Sequence, residues 1–479
     1  MKILHATAEY YPFIKVGGLS DMLSSLSHFQ TSEHEVSVAL PLLQNFKDKP
    51  KFTGKVLPAI SSNTPFYSET SQILKRSFFR EASLGRVTMY FFESELFIQK
   101  NAIYGASDEH FNFAVFSAAC YYLGKELDVD LVHGHDWHVS IAMILNALDD
   151  SGKPTCFTIH NLAYQGDHPK WMTGFLRVDP FNISEDILLH LDKINYLKGG
   201  LLTANEITTV SPGYRNEILS EPSGQFLAWL LNQRQDSLTG ILNCIDMNEW
   251  NPEFDRKIYA NYSCETPGYG KQQNKISLYN EFGIDADIDR PLIGLIGRLT
   301  YQKGFGVFLS SFFQKRDLPF YYFFLGSGDK NLEDTLLNLS HHENYRICFY
   351  KGFDEVLARK IEAASDFFLM PSLFEPCGLN QFYSHIYGAI PIVSRVGGLK
   401  DSVNESDLIE YFTGFVFEPG ADHSLNYALD RAFQLYNNKE KFSKIRKNIM
   451  KLDWSWENSH KKYTEIYNRA IAKKKSSTF

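Results

Sequence analysis

The 479-residue chain is too long for one ordinary domain and is sized for two or three, each able to bury its own core. Hydrophobic residues make up 44% of it and charged residues 22%, a globular composition that argues against extensive disorder. The formal net charge of −8 gives no electrostatic drive toward nucleic acid or an anionic membrane, so any anion site has to be a local cluster of Lys, Arg and backbone amides.

Short apolar or β-branched runs recur along the chain, each followed by glycine or polar turn residues and then a helical pattern. The first set falls at 3–6, 36–40, 87–92, 130–133, 156–159 and 207–210, the second at 292–296, 321–325, 347–350, 367–370, 390–393 and 414–417. These runs do not alternate strictly, which suits strands covered on both faces. Their alternation with helices predicts an α/β chain of parallel, doubly wound sheets. Between the sets, residues 212–290 carry helical patterning, prolines and polar loops, read as the end of one domain, a hinge near Asn243 to Trp250 and the entry to the next. From Trp454 onward the sequence is aromatic and amphipathic and predicts a helix packed on the body, with Lys473 to Ser477 expected to be frayed and solvated.

The six cysteines are scattered without a CxxC pair, a spacing that fits neither a disulfide framework nor a structural zinc site. Glu9 interrupts the start before an apolar signal region can form, and no apolar run reaches membrane-spanning length. A cytoplasmic protein is expected. Aromatic residues reach 15%, and core packing accounts for most of them.

Ligands of doubly wound domains bind in the loops after the strands, here in a cleft between two such domains, and the polar motifs follow predicted strands. Lys15-Val16-Gly17-Gly18-Leu19 precedes a helical run. Its glycines let backbone approach an anion while Lys15 adds charge, although glycine at a helix start also has a purely steric use. Gly297-Arg298-Leu299-Thr300-Tyr301-Gln302-Lys303-Gly304 repeats the arrangement in the second set. Arg298 and Lys303 suit one diphosphate, the first as a planar fork and the second as a compact charge; a solvated basic loop is the plainer reading. In Glu375-Pro376-Cys377-Gly378-Leu379-Asn380-Gln381, Glu375 suits either sugar hydroxyls or the positive end of a helix.

His133-Gly134-His135-Asp136-Trp137-His138 gathers metal-ligand types. Its order echoes that of binuclear metallohydrolases without matching it, and the downstream ligands are missing, so no metal is expected. The Asp-x-Asp runs at Asp128 and Asp130 and at Asp285, Asp287 and Asp289 read as polar turns before strands. Ile159-His160-Asn161-Leu162-Ala163-Tyr164-Gln165-Gly166 ends another strand and points His160 and Asn161 into the cleft, with His160 open to a structural or a catalytic reading.

In this order, KVGGL, HGHDWH, FTIHNLAYQG, TTVSPGY, GRLTYQKG, EPCGLNQ and VGGLKD closely resemble the signature series of bacterial glycogen synthases and plant starch synthases. The resemblance runs from Met1 to about Tyr467. It implies a GT-B fold of two Rossmann-like domains, 1–245 for acceptor and catalysis and 246–454 for the nucleotide sugar, with a C-terminal helix, 455–479, crossing back to the first. It also implies a retaining transfer of glucose from ADP-glucose or UDP-glucose to the non-reducing end of an α-1,4-glucan, with no metal or other cofactor.

Carried over by motif, Lys15 and Gly18 contact the donor phosphates and transferred glucose, with Asp21 close by. Arg298 and Lys303 neutralise the leaving diphosphate, Glu375 holds donor hydroxyls, and the Gly378 and Leu379 amides bind phosphate or sugar. His160 lies over the reacting carbon; Glu9, Asp136 and Asn161 line the acceptor side; Asn243 and Asp246 sit at the domain junction. Three positions depart from patterns in relatives: Cys244 replaces a glycine at the junction, Asn380 stands where threonine is frequent, and Tyr383 takes the place of a second glutamate found in other GT-B families.

Overall fold

The computed structural model describes every residue except 45, 47–49, 61–67, 171–176, 179–180, 343–345 and 478–479. The chain divides into two compact units, Met1–Asn243 with Trp456–Phe479, and Cys244–Ser455.

The first unit is built on β1 (Lys2–Ala6), β2 (Glu35–Pro41), β3 (Phe52–Pro58), β4 (Phe78–Leu84), β5 (Val87–Glu93), β6 (Leu131–His135) and β7 (Thr155–Ile159). Five short strands follow, β8 (Asp167–Pro169), β9 (Arg177–Val178), β10 (Phe181–Asn182), β11 (Leu189–His190) and β12 (Lys193–Asn195), and then β13 (Glu206–Thr209) and β14 (Leu238–Gly240). Among the described residues the main sheet has nine strands in the order β14-β13-β7-β6-β1-β2-β5-β4-β3. From β14 to β5 every pairing is parallel. The β1, β6 and β7 segments are buried on both faces apart from Lys2, as their continuous apolar runs require.

The second unit holds β15 (Leu292–Ile296), β16 (Tyr321–Gly326), β17 (Ile347–Lys351), β18 (Phe367–Met370), β19 (Ile390–Ser394) and β20 (Phe415–Phe417), all parallel, in the order β17-β16-β15-β18-β19-β20. Phe324, Phe367, Ile392 and Phe417 on one face meet Phe308, Phe312 and Leu429 from the helices. Each fully buried phenylalanine contributes about 1.5–3 kcal/mol relative to leaving it in water.

All the apolar runs read from the sequence are strands, their ends shifted by two residues or fewer. The departure from a parallel sheet is at one edge, where β4 pairs antiparallel with β5 and with β3. Leu84 and Val87 close a tight hairpin around Gly85 and Arg86. Polar residues on the solvated faces of β3 and β4 break the apolar run that marks the other strands, so their signal in the sequence is weak.

Helix starts carry their own signals. Ser211 accepts a hydrogen bond from the Tyr214 N–H at 3.0 Å, with Pro212 in the first turn, and Asp354 caps the helix Glu355–Ala364 through the Leu357 N–H at 2.9 Å.

The helix Glu457–Ser477 belongs to the first unit. Trp456 Nε1 donates to Ser25 Oγ at 2.6 Å, and Ser459 Oγ donates to the Leu242 carbonyl at 3.0 Å. Its end is solvated only in part: Lys475 and Ser476 are exposed as the lysine-rich tail suggested, whereas Lys473 and Lys474 are tied to the body. Lys473 Nζ reaches Ser237 Oγ and Glu206 Oε1, both at 2.7 Å, and Lys474 donates to the Asn146 and Asp149 carbonyls at 2.8 and 3.0 Å. Helix carbonyls and a buried carboxylate lie within reach of the lysine stems, which sequence pattern alone does not reveal.

At the entry and exit of the second unit, Ile245 N–H donates to the Trp454 carbonyl at 3.1 Å. Asp246 Oδ1 accepts from the Asn248 and Glu249 N–H groups at 2.9 and 3.3 Å, a turn that sends Trp250 inward. Trp250 stacks on Tyr383 with ring centroids 3.6 Å apart and carries the Arg359 guanidinium 3.8 Å above it. Tyr383, the departure noted above, is therefore a packing partner of the junction tryptophan.

Candidate active site

In each unit the strand order reverses beside the first strand, between β1 and β6 and between β15 and β18. Open α/β sheets bind ligands at such switch points, because the flanking loops diverge there and leave backbone amides exposed. The motifs of Lys15, Asp136, Arg298 and Glu375 lie on these loops, and that of His160 follows the neighbouring β7.

In the first unit the loop after β1 is held by Glu9. Its Oε2 accepts the Val16 and Gly17 N–H groups, both at 2.8 Å, and its Oε1 accepts the Tyr104 hydroxyl at 2.7 Å. Through these three bonds buried Glu9 acts as the clamp that shapes the Lys15–Leu19 turn. Gly17 caps the helix Gly18–Gln30 in an extended conformation, and a Cβ there would meet nothing within 4 Å. Lys15 Nζ meets Asp21 Oδ1 at 2.7 Å, bringing two of the expected residues together.

Across the switch point, Asp136 leaves β6 in a left-handed backbone conformation, φ 59°. This turn aims its carboxylate at the next loop, where Oδ1 accepts the His160 N–H at 2.8 Å. Asn161 Oδ1 accepts the Ala163 N–H at 3.1 Å and sets the turn that follows. His160 Nε2 bonds His135 Nδ1 at 3.0 Å, and burial lowers the His160 pKa to about 3. The ring is therefore neutral.

Burial pushes the Asp136 carboxyl up to about 7, against the backbone hydrogen bonds of His160 and Asn161, and the nearby Glu9 charge adds to the rise. Its folded-state value lies above that of the unfolded chain, so the folded state binds this proton more tightly. Stability from this group is present below the ordinary carboxylate range and is lost as pH rises to about 7. Ionisation, by contrast, strengthens its hold on the His160 N–H.

The expected rate therefore climbs with pH through about 7, and Asp136→Asn is expected to remove that limb while raising the melting temperature relative to the parent above it. Rates and melting curves from about pH 5 to about pH 9 check both, and a limb that survives Asp136→Asn belongs to another group.

His133 and His135 lie on β6 and are fully buried, as is His5 on β1. The ligand atoms of these three histidines lie within 4.8 Å of one another, close enough to raise the question of a metal. Each of their six ring nitrogens already has a hydrogen-bond partner: His5 bonds His135 and Gln30, His133 bonds Tyr467 and Thr158, and His135 bonds His5 and His160. The donor set is committed to a polar network.

In the second unit, Lys303 Nζ meets Glu375 Oε2 at 2.5 Å, and Ser372 Oγ donates to the same oxygen at 2.9 Å. Their loops are sewn together by Leu373 N–H to the Gln302 carbonyl at 2.8 Å and by Gln302 Nε2 to the Phe374 carbonyl at 3.2 Å. Arg298 is exposed just after β15. Gly378 and Leu379 lead into the helix Asn380–Tyr387, and Asn380 Nδ2 ties that start to the Ile296 carbonyl at 2.8 Å. Asn243 is the last residue of the first unit's first segment, buried, with its N–H on the Val210 carbonyl at 3.2 Å.

The sequence reading missed Tyr104, which holds Glu9 and stacks on His138 with centroids 5.1 Å apart. It also missed Ser372, Gln302 and the network of His5, Gln30 and Tyr467. Gln302 lies inside the Gly297–Gly304 motif, where its local pattern assigns it no partner; the others stand outside the motifs, and only the fold brings them to the loops.

Residues 2–233 match the family of starch synthase catalytic domains, and residues 280–449 that of glycosyl transferases group 1. The glycogen synthase of Leptospira biflexa serovar Patoc is 51% identical over 473 residues, covering 98% of this chain and 99% of that protein. That of Thermodesulfovibrio yellowstonii is 35% identical over 509 residues, covering 100% and 99%. The solved catalytic domain of starch synthase IV from Arabidopsis thaliana, bound to ADP and acarbose, matches with a TM-score of 0.87 at 28% identity, over 98% of this chain and 99% of that one. Sucrose-phosphate synthase from Thermosynechococcus elongatus shares the fold, with a TM-score of 0.61 at 14% identity over 98% and 99%. Among the described residues no helix is long and apolar enough to cross a membrane. Full-length identity to glycogen synthases, on two doubly wound units of this topology, places the chain in the glycogen synthase and starch synthase family, retaining GT-B glycosyltransferases that transfer glucose from a nucleotide sugar to an α-1,4-glucan.

Proposed function

We propose that this transferase uses ADP-glucose in preference to UDP-glucose, works without a metal ion and acts in the cytoplasm. The observation that carries the reading is the Lys303–Glu375 pair at the second switch point, which sets a cation beside a buried carboxylate on two loops sewn together. A compact ammonium suits a diphosphate, and a carboxylate suits sugar hydroxyls. The ADP bound to starch synthase IV supports the choice of nucleotide. The six cysteines, none of them joined in a disulfide, suit a reducing compartment.

In this reading the second unit binds the nucleotide sugar. Arg298 and Lys303 neutralise the diphosphate, Glu375 accepts from donor hydroxyls, and the Gly378 and Leu379 amides complete the cradle. The first unit handles the transferred glucose and the acceptor. Lys15 and Gly18 approach the phosphates and glucose, with Asp21 holding Lys15 until the donor arrives. His160 lies over the reacting carbon, and Glu9, Asp136 and Asn161 shape the acceptor side. Asn243 and Asp246 set the junction.

Retention follows from displacement on one face of the sugar. The bond from the anomeric carbon to the diphosphate oxygen breaks, the bond to the acceptor oxygen forms on the same face, and the hydroxyl proton passes to the departing diphosphate. Arg298 and Lys303 stabilise the negative charge that builds there, the task that metal ions fill in other transferases.

The test is glucose transfer to glycogen from ADP-glucose and UDP-glucose in parallel, in excess EDTA. Faster transfer from ADP-glucose supports the proposal. Faster transfer from UDP-glucose reassigns the donor, and activity only after a divalent metal is restored overturns metal independence.

A further inference from the structure

A continuous line of hydrogen bonds crosses the interior of the first unit, from the His160 loop to the C-terminal helix. His160 Nε2 bonds His135 Nδ1 at 3.0 Å, His135 Nε2 bonds His5 Nδ1 at 3.0 Å, and His5 Nε2 bonds Gln30 Oε1 at 2.8 Å. Gln30 Nε2 donates to the Tyr467 hydroxyl at 2.9 Å, Tyr467 meets His133 Nδ1 at 2.8 Å, His133 Nε2 meets Thr158 Oγ1 at 2.6 Å, and Thr158 meets Thr208 Oγ1 at 2.6 Å. Five elements and the end of a sixth contribute: β1, β6, β7, β13, the helix Gly18–Gln30 and the helix Glu457–Ser477.

Each imidazole in the line is neutral. Burial lowers the His5 pKa to about 4 and the His160 pKa to about 3, and holds those of His133 and His135 well below the ordinary value. A neutral imidazole has one N–H and one lone pair, so fixing the role of one nitrogen fixes the other. A carboxamide oxygen can only accept. Gln30 Oε1 therefore requires the proton on His5 Nε2, which makes His5 Nδ1 an acceptor and His135 Nε2 a donor. His135 Nδ1 must then accept, and His160 Nε2 must donate. The lone pair of His160 ends on Nδ1, which has no hydrogen-bond partner among the described residues.

The other arm is consistent. Gln30 Nε2 donates to the Tyr467 oxygen, Tyr467 gives its hydrogen to His133 Nδ1, His133 Nε2–H goes to Thr158, and Thr158 goes to Thr208. Turning the Gln30 carboxamide over would reverse every donor between Tyr467 and His160. The line thus has two states, and the seat of Gln30 selects one.

We infer that Gln30 and Tyr467 are positioning residues that set the tautomer of His160 through His5 and His135, so that His160 Nδ1 offers a lone pair to a hydroxyl of the bound sugar. The inference rests on the reading of His160 at the transferred glucose, while its first readout does not. It gives the C-terminal helix a chemical role, since the residue that orients Gln30 arrives from that helix.

The experiment is long-range 1H–15N spectroscopy of the full chain labelled with 15N-histidine, with the His160 signals identified by their loss in His160→Ala. The resting parent is expected to carry the His160 proton on Nε2 alone. Gln30→Met and Tyr467→Phe are each expected to shift His160 toward a mixture of tautomers and to lower kcat about tenfold, with KM for the nucleotide sugar changed less than about twofold.

A His160 proton on Nδ1 in the parent overturns the inference. So does an unaltered Nε2–H in both variants with kcat within about twofold of the parent. If Gln30→Met does not fold, Tyr467→Phe and the parent spectrum still decide. A parent that shows the expected tautomer but transfers no glucose would instead sink the reading of the site.

Discussion

Lys303→Ala is expected to lower kcat about 100- to 1000-fold at saturating nucleotide sugar, equivalent to about 2.7–4 kcal/mol of transition-state stabilisation. The side chain is held in place before any ligand arrives, by Glu375 at 2.5 Å and by a loop stitched through Gln302. A charge fixed in advance stabilises a developing diphosphate without reorganisation, so its removal falls mainly on the transition state.

The substitution also leaves Glu375 as a buried carboxylate without its cation, though Ser372 still donates to it. Pairing Lys303→Ala with Glu375→Gln removes that burden, and the double variant is expected to melt closer to the parent while staying slow. Initial rates of glucose incorporation into glycogen, with melting curves alongside, measure both. Near-normal turnover of Lys303→Ala would refute the assignment.

Gly304→Ala is expected to cost about 3 kcal/mol or more of stability, with loss of activity at temperatures where the chain is still folded. Gly304 sits at φ 66°, a left-handed conformation that costs other residues about 1–2 kcal/mol. A Cβ there would also fall 1.8 Å from the Pro371 carbonyl oxygen, which is backbone and can give way only if the loop moves. Gly304 directly follows Lys303, and the Pro371 loop leads to Glu375, so relief of the clash separates the pair.

Gly306→Ala is the matched control, since nothing lies within 4 Å of a Cβ at that position. It is expected to melt at or slightly above the parent, because Gly306 lies in the first turn of the helix Phe305–Gln314, where alanine is preferred to glycine by up to about 1 kcal/mol. Denaturant midpoints of both variants check this, and a Gly304→Ala chain as stable as its control would contradict the packing argument.

Much of the fold was legible in the amino-acid order because burial on both faces leaves a direct trace. The runs at 292–296 and 367–370 coincide with β15 and β18, since a strand covered above and below favours apolar side chains at every position. Ser211-Pro212 was equally readable, because capping and proline at a first turn are local effects. The antiparallel edge strands β3 and β4 were not, because strands with a solvated face dilute the same signal. The lysines at 473 and 474 were misjudged for a related reason: a charge run looks solvated unless one knows which carbonyls and carboxylates the fold brings alongside.

The candidate site divides in the same way. Local chain order determined which loops carry the polar residues, and it set Lys303 and Glu375, Glu9 and the Lys15–Leu19 turn, and Asp136 and His160 on loops after strands. Tertiary structure alone decided what each group does there. Glu9 became a clamp because Tyr104, 95 residues away, supplies its third bond. Asp136 titrates near 7 because the fold buries it, and three histidines that resemble a metal set are committed ring by ring to Gln30, Tyr467 and one another. The physical reason is that a residue's type is fixed by the chain, whereas its solvation, its partners and its proton are fixed by whatever the rest of the molecule packs around it.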